Sequence, residues 1–172
     1  MDWDRKGRYV FTTHDLKKSF LEDSPKTFQE GIQRLVRQGL LIRACRGVYV
    51  FAFFHHRDGF LLQHIAKALR RGYYSYVSLE SVLSEHSIIS QIPVDRITVM
   101  TTGREGEYFT PFGVIEFTHT KRSREEILKG VFDAGRPLRM ATAKTAFRDL
   151  KRVGRNTHLI DSEILEEVLN NG

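Results

Sequence analysis

The chain has 172 residues, 41% hydrophobic and 28% charged, a balance that suits one sizeable core or two small domains and excludes a disordered polymer. Its formal net charge is +6, and ten Lys/Arg against six Asp/Glu in the first 56 residues place +4 of that total there, so attraction to a polyanion is expected. The lone Cys45 excludes an intramolecular disulfide and a cysteine-rich zinc site, and no segment has the apolar length to span a membrane, which together indicate a cytoplasmic protein.

Tyr9-Val10-Phe11 reads as a short strand, after which Thr12 or Thr13 caps a helix whose buried edge carries Leu16 and Phe20. Glu22-Asp23-Ser24-Pro25 is the turn into a second helix. Ser24 is a good N-cap, Pro25 suits the first helical position, and Gly39 closes the helix in the left-handed conformation. Phe28, Ile32, Leu35 and Val36 form one apolar stripe on it, leaving Lys26, Glu30, Gln33, Arg34 and Arg37 on the other face. A hairpin follows, pairing Leu40-Leu41-Ile42 with Val48-Tyr49-Val50-Phe51 around Arg43, Arg46 and Gly47.

This is the pattern of a winged helix-turn-helix. In that arrangement the second helix enters the major groove, and residues near its N-terminus, here Lys26, Thr27, Gln29 and Glu30, meet base edges. Arg43 and Arg46 at the hairpin tip then straddle a phosphate or enter the minor groove. A winged helix used for protein contact, with its basic residues only solvating the surface, is the plainer alternative.

The periodicity changes near His55-His56-Arg57-Asp58-Gly59, where a linker is expected. Phe60 to Leu69 reads as a helix stopped at Arg70-Arg71-Gly72, and Ser78 as the cap of another carrying Leu79, Val82 and Leu83. Ile88 to Pro93 is the turn leaving it. Three alternating segments, 97–101, 108–110 and 114–118, then predict a small antiparallel sheet, and helices return at 123–131, 142–153 and 161–170. The expected class is α+β: a winged helix-turn-helix domain over residues 1–56, then a mixed α/β domain over 57–172 with flanking helices. On the helix after Thr142, the residues Lys144, Arg148, Lys151, Arg152 and Arg155 recur as a basic stripe opposite Ala143, Ala146, Phe147 and Leu150. Such a stripe faces either water and counterions or an acidic surface.

Catalysis has little support. Glu116 and His119 lie three apart on a strand and so point to opposite faces, adjacent His55 and His56 are poor ligands for one metal, and Asp95, Glu105 and Glu107 suit a polar sheet surface. Phosphate-cradling and nucleophile-elbow motifs are missing, so no catalytic residue, metal or cofactor is expected.

Taken together, the motifs resemble the antitoxins of the AbiE abortive-infection systems, the type IV toxin–antitoxin class. The matching stretches are Leu35 to Leu41 running into Arg46-Gly47-Val48-Tyr49, then Ser78 to Leu83 with His86, Ile97 to Arg104, Thr110 to Gly113, Phe117-Thr118-His119 and Met140 to Leu150. One departure is visible: the stretch before Tyr9 is too short for the first helix of a full winged domain. The resemblance implies a phage-defence regulator that represses its own operon, and because one winged module reads few bases, inverted repeats in double-stranded DNA with two copies on one operator are expected. It also implies that the C-terminal domain counters a cognate nucleotidyltransferase-like toxin without needing a stable complex, the basic stripe being the candidate antitoxin surface. The other reading is a stand-alone transcriptional regulator whose second half dimerises or senses a ligand.

Overall fold

A computed structural model describes residues 7–54, 58–90 and 95–170. The chain opens with β1 (Val10–Thr12), α1 (Thr13–Lys17), α2 (Pro25–Arg37), β2 (Leu41–Cys45) and β3 (Val48–Phe51). The three strands form an antiparallel sheet in the order β1-β3-β2. Of the two candidate caps for α1 it is Thr12 that serves. Its hydroxyl accepts from the Asp15 backbone N–H while the Asp15 carboxylate accepts from the Thr12 N–H, a reciprocal capping box. Ser24 caps α2 as expected, with Pro25 in the first turn, and Gly39 at φ +70° turns the chain out of the helix.

Because side chains alternate across a strand, this small sheet has two apolar faces. Phe11, Tyr49 and Leu41 face the helices and pack with Leu16, Phe28 and Ile32, Leu35 and Val36 lying half-buried at the margin. Val10, Ala44, Val48 and Val50 face the other way and join the main core of the molecule. The element that covers them is α3 (Leu61–Leu69), with Ile65 and Ala66 fully buried. Tyr9 stacks on Phe54 at 4.4 Å between ring centroids, and its hydroxyl donates to Asp58 Oδ1 at 2.9 Å. This face of the small sheet is thus closed by a helix from later in the same chain.

The second sheet is larger than alternation indicated. It joins β4 (Ser75–Val77), β5 (Arg96–Thr101), β6 (Gly106–Thr110), β7 (Gly113–His119), β8 (Val131–Phe132) and β9 (Arg139–Ala141) in the order β6-β7-β5-β4-β9-β8. The small antiparallel sheet expected is corrected here to a mixed one, because β5 pairs with β7, and β4 with β9, in parallel. A period of two marks a strand without naming its neighbour, and strands of two or three residues are too short to show a period. Around the sheet lie α4 (Glu80–Glu85), α5 (Arg124–Leu128), α6 (Ala143–Val153) and α7 (Ser162–Asn170). The helix expected over 123–131 stops early, since β8 begins at Val131.

Register assigns the two faces. Val77, Val99 and Phe117 are cross-strand neighbours on one, and α3 lies over it, with the Arg70 guanidinium 4.0 Å from the Phe117 ring centroid. Tyr76, Met100, Thr98 and Glu116 share the other with α4 and α6: Thr98 Oγ1 lies 3.0 Å from Ser81 Oγ, and the Tyr76 hydroxyl donates to Asp149 Oδ2 at 3.1 Å. The winged unit, seated on α3, and the basic helix α6 therefore lie on opposite sides of the six-stranded sheet.

Ser78 is not a helix cap. Its hydroxyl donates to the buried Asp149 at 2.8 Å, and α4 starts after Leu79, a fully buried residue held at φ +58° without a side-chain cap. Thr98 restrains that bend from both sides, donating to the Ser78 carbonyl at 2.6 Å and accepting from the Ser81 N–H at 3.1 Å. His55, His56, the expected boundary at 56/57 and the end of the turn before Pro93 lie outside the described residues.

Candidate nucleic-acid interface

The apolar stripe of α2 fixes its rotation, and all the polar residues singled out on it, Lys26, Thr27, Gln29, Glu30, Gln33, Arg34 and Arg37, are exposed. Thr27 is partly committed locally, its hydroxyl lying 2.9 Å from Ser24 Oγ and its N–H donating to that same oxygen. The wing is tied to the helices at its turn: the Thr13 N–H donates to the Gly47 carbonyl at 2.9 Å, and Gly47 at φ +79° allows the tight reversal. Arg43 pairs in register with Tyr49, so it belongs to the sheet face on which α2 packs, and Arg46 occupies the turn. Both are exposed, and neither forms an ion pair among the described residues. Two exposed arginines of the hairpin and a row of exposed polar groups on α2 thus belong to one small unit.

Sequence reasoning missed the contribution of α1. Lys17 is exposed on it and Lys18 at its end, extending the positive surface. Asp15, on the inner side, accepts from Arg71 Nη1 and Nη2 at 2.9 and 2.8 Å and lies 2.5 Å from Arg8 Nη2. Burial acts to raise its carboxyl, but hydrogen bonds from Arg71, Thr12 and Arg8 outweigh it and hold Asp15 well below the usual carboxylate range. A clustering of cations around one acid is the signal that chain order concealed, since Arg71 lies far along the sequence.

The basic stripe is shorter than helical spacing implied. Lys144, Arg148 and Lys151 are exposed on α6, but Gly154 at φ +74° ends the helix and turns Arg155 out of line. Arg155 instead donates to Glu80 Oε1 at 2.9 Å and pairs with Glu116, and Arg152 donates to the His119 carbonyl at 3.2 Å. The stripe expected to run through Arg155 is thereby corrected to Lys144, Arg148 and Lys151, which form no ion pair among the described residues, with Arg152 tied at its edge. Two cations that sequence reasoning did not assign, Arg122 and Lys129, stand beside the three across a groove. Arg122 also closes on the buried Asp149 at 2.5 Å.

Glu116 and His119 do diverge, the first into the charge network of Arg155 and Arg96, the second with Nδ1 2.8 Å from the Gly103 carbonyl. Among the described residues, no three His, Cys, Asp or Glu side chains gather as metal ligands would. No helix among those residues is long and apolar enough to cross a membrane.

The helix-turn-helix, the three-stranded wing sheet and their exposed basic face define the N-terminal unit as a winged helix-turn-helix joined to a mixed α/β domain. Residues 1–52 match the family model described as transcriptional regulator, AbiEi antitoxin, which bears out the resemblance over that segment. Over nearly its whole length the chain is similar in fold to the crystal structure of the RV2827C protein from Mycobacterium tuberculosis, with a TM-score of 0.55 and 15% identity, covering 98% of this chain and 68% of that one. No curated protein matches the chain.

Proposed function

We propose that this protein is the DNA-binding antitoxin of a type IV toxin–antitoxin system, repressing its own operon through the winged helix and countering a nucleotidyltransferase-like toxin through the C-terminal domain. The observation that carries this reading is the family match over residues 1–52, falling on the unit whose α2 face and wing are exposed and basic. Lys26, Thr27, Gln29, Glu30, Gln33, Arg34 and Arg37 serve the groove, Arg43 and Arg46 the flanking backbone, and Lys144, Arg148 and Lys151 the antitoxin surface. It acts in the cytoplasm, on inverted repeats in its own upstream region.

The test is a gel shift with the full-length protein on that upstream DNA across a salt series. Each phosphate neutralised contributes about −0.9 to the slope of log affinity against log salt, so Arg43→Ala and Arg46→Ala each flatten the slope and weaken binding on every sequence. Gln29→Ala changes which sequence is preferred instead. Charge reversal at Arg43 and Arg46 that left operator affinity unchanged would remove the wing from the interface.

A further inference from the structure

Between the end of α5, the turn into β8 and the outer face of α6 lies a groove of about 840 Å³. Five cations line it: Arg122, Lys129, Lys144, Arg148 and Lys151. The one acid among the lining residues, Glu126, is occupied in accepting the Ser123 N–H at 2.8 Å. Arg122 neutralises Asp149, but none of the other four cations has a carboxylate within ion-pairing distance among the described residues. Lys144, Arg148 and Lys151 fall at i, i+4 and i+7, so they rise along one helix edge over about 10 Å, at a spacing where like charges repel unless an anion lies between them. The walls are not wholly polar. The Phe147 ring, with Lys151 Nζ 5.4 Å from its centroid, and Leu169 of α7 give the groove an apolar side.

We infer that this groove binds a single-stranded nucleic acid, its cations following the phosphodiester backbone and the Phe147 wall receiving an unstacked base. A duplex fits the arrangement less well, because it presents sugar and phosphate outward and keeps its bases from an apolar wall, whereas a single strand offers both. The site stands across the six-stranded sheet from the winged unit, so it is separate from duplex reading. The inference deepens the proposed antitoxin surface by naming its ligand, and it rests on that reading only for its biological role: the C-terminal domain would act on a nucleic acid strand rather than by gripping the toxin.

Fluorescence anisotropy with the full-length protein and labelled oligouridylate or oligothymidylate of about 20 nucleotides measures it, with labelled operator duplex titrated separately on the same variants. The variant Lys144→Ala/Arg148→Ala/Lys151→Ala is expected to lose at least about 30-fold in strand affinity and to flatten the salt slope by about 2, at about 0.7 per phosphate on a single strand, with duplex affinity unchanged. Phe147→Leu, which keeps every charge, is expected to lose about 5-fold or more, within the range of one stacked base. Lys26→Ala/Arg46→Ala is expected to do the reverse, weakening duplex and sparing strand. Tighter binding of oligouridylate assigns the groove to RNA and equal binding to the phosphodiester chain in general, and both support the inference. Parental strand affinity in the triple variant overturns it and leaves an acidic protein surface as the occupant. Strand binding lost only with Lys26 and Arg46 overturns it as well. Neither failure touches the operator measurement, so the duplex reading stands or falls separately.

Discussion

Asp15 is the residue on which the seam between the two halves turns, because it completes the capping box of α1 while holding Arg8 and, from beyond α3, Arg71. Its carboxyl is depressed in the folded state, so its contribution to stability is fully present above the ordinary aspartate value near pH 4 and is lost as the pH falls through its native value. Thermal melts from about pH 7 to pH 3 should therefore fall at the acid end, and Asp15→Asn should flatten part of that fall while costing about 2 kcal/mol at neutral pH. Asp58, lowered against its own burial by hydrogen bonds from His64, Phe60 and Tyr9, adds to the acid limb with the same sign. Gly113 is a second sensitive position: at φ +134°, a Cβ there would stand 2.2 Å from the Asp95 carbonyl oxygen. Gly113→Ala should cost about 3 kcal/mol, read as a fall in the denaturant midpoint with little change in slope. Local chemistry of this kind was legible in the sequence where cap and partner are neighbours, as at Ser24, Pro25 and Gly39. It was hidden at Ser78, whose partner Asp149 is 71 residues away, so a residue that resembles a helix cap is instead a donor to a buried acid.

At the level of elements, helices with a long apolar stripe announced themselves: α2 and α6 begin after Ser24 and Thr142 as their caps require, and α7 falls where its period put it. The sheet did not, for the reason that β4, β8 and β9 borrow their stability from neighbours rather than from their own residues. Parallel pairing of β5 with β7 was also out of sight, since β6 intervenes in sequence yet sits at the sheet's edge. The basic helix shows how one backbone angle edits a surface. Gly154 in the left-handed region stops α6 and sends Arg155 to Glu80 and Glu116, so Gly154→Ala should destabilise by about 1 kcal/mol, measurable as a drop in Tm of several degrees.

For the molecule as a whole, duplex reading and protection should be separable by mutation, because the surfaces proposed for them lie on opposite sides of one sheet. With soluble expression checked in each, Lys144→Ala/Arg148→Ala/Lys151→Ala should abolish protection in a toxin co-expression growth assay and leave a promoter reporter repressed, while Lys26→Ala/Arg46→Ala should do the opposite. Should the triple variant protect as well as its parent, that edge of α6 is only a solvated face, and protection must be sought elsewhere in the domain. In folding, the two halves share one hydrophobic core. A fragment ending at residue 56 would expose Tyr9, Val10, Ala44, Val48, Val50 and Phe54, six residues that are at most 6% exposed in the whole chain, and should melt without a cooperative transition by circular dichroism. This shared underside also constrains exchange by recombination: a winged head swapped at the domain boundary should fold only where it matches the α3 surface beneath it. On the proposed reading, lineages that change their DNA target should do so by drift along the outer edge of α2 while the underside stays put.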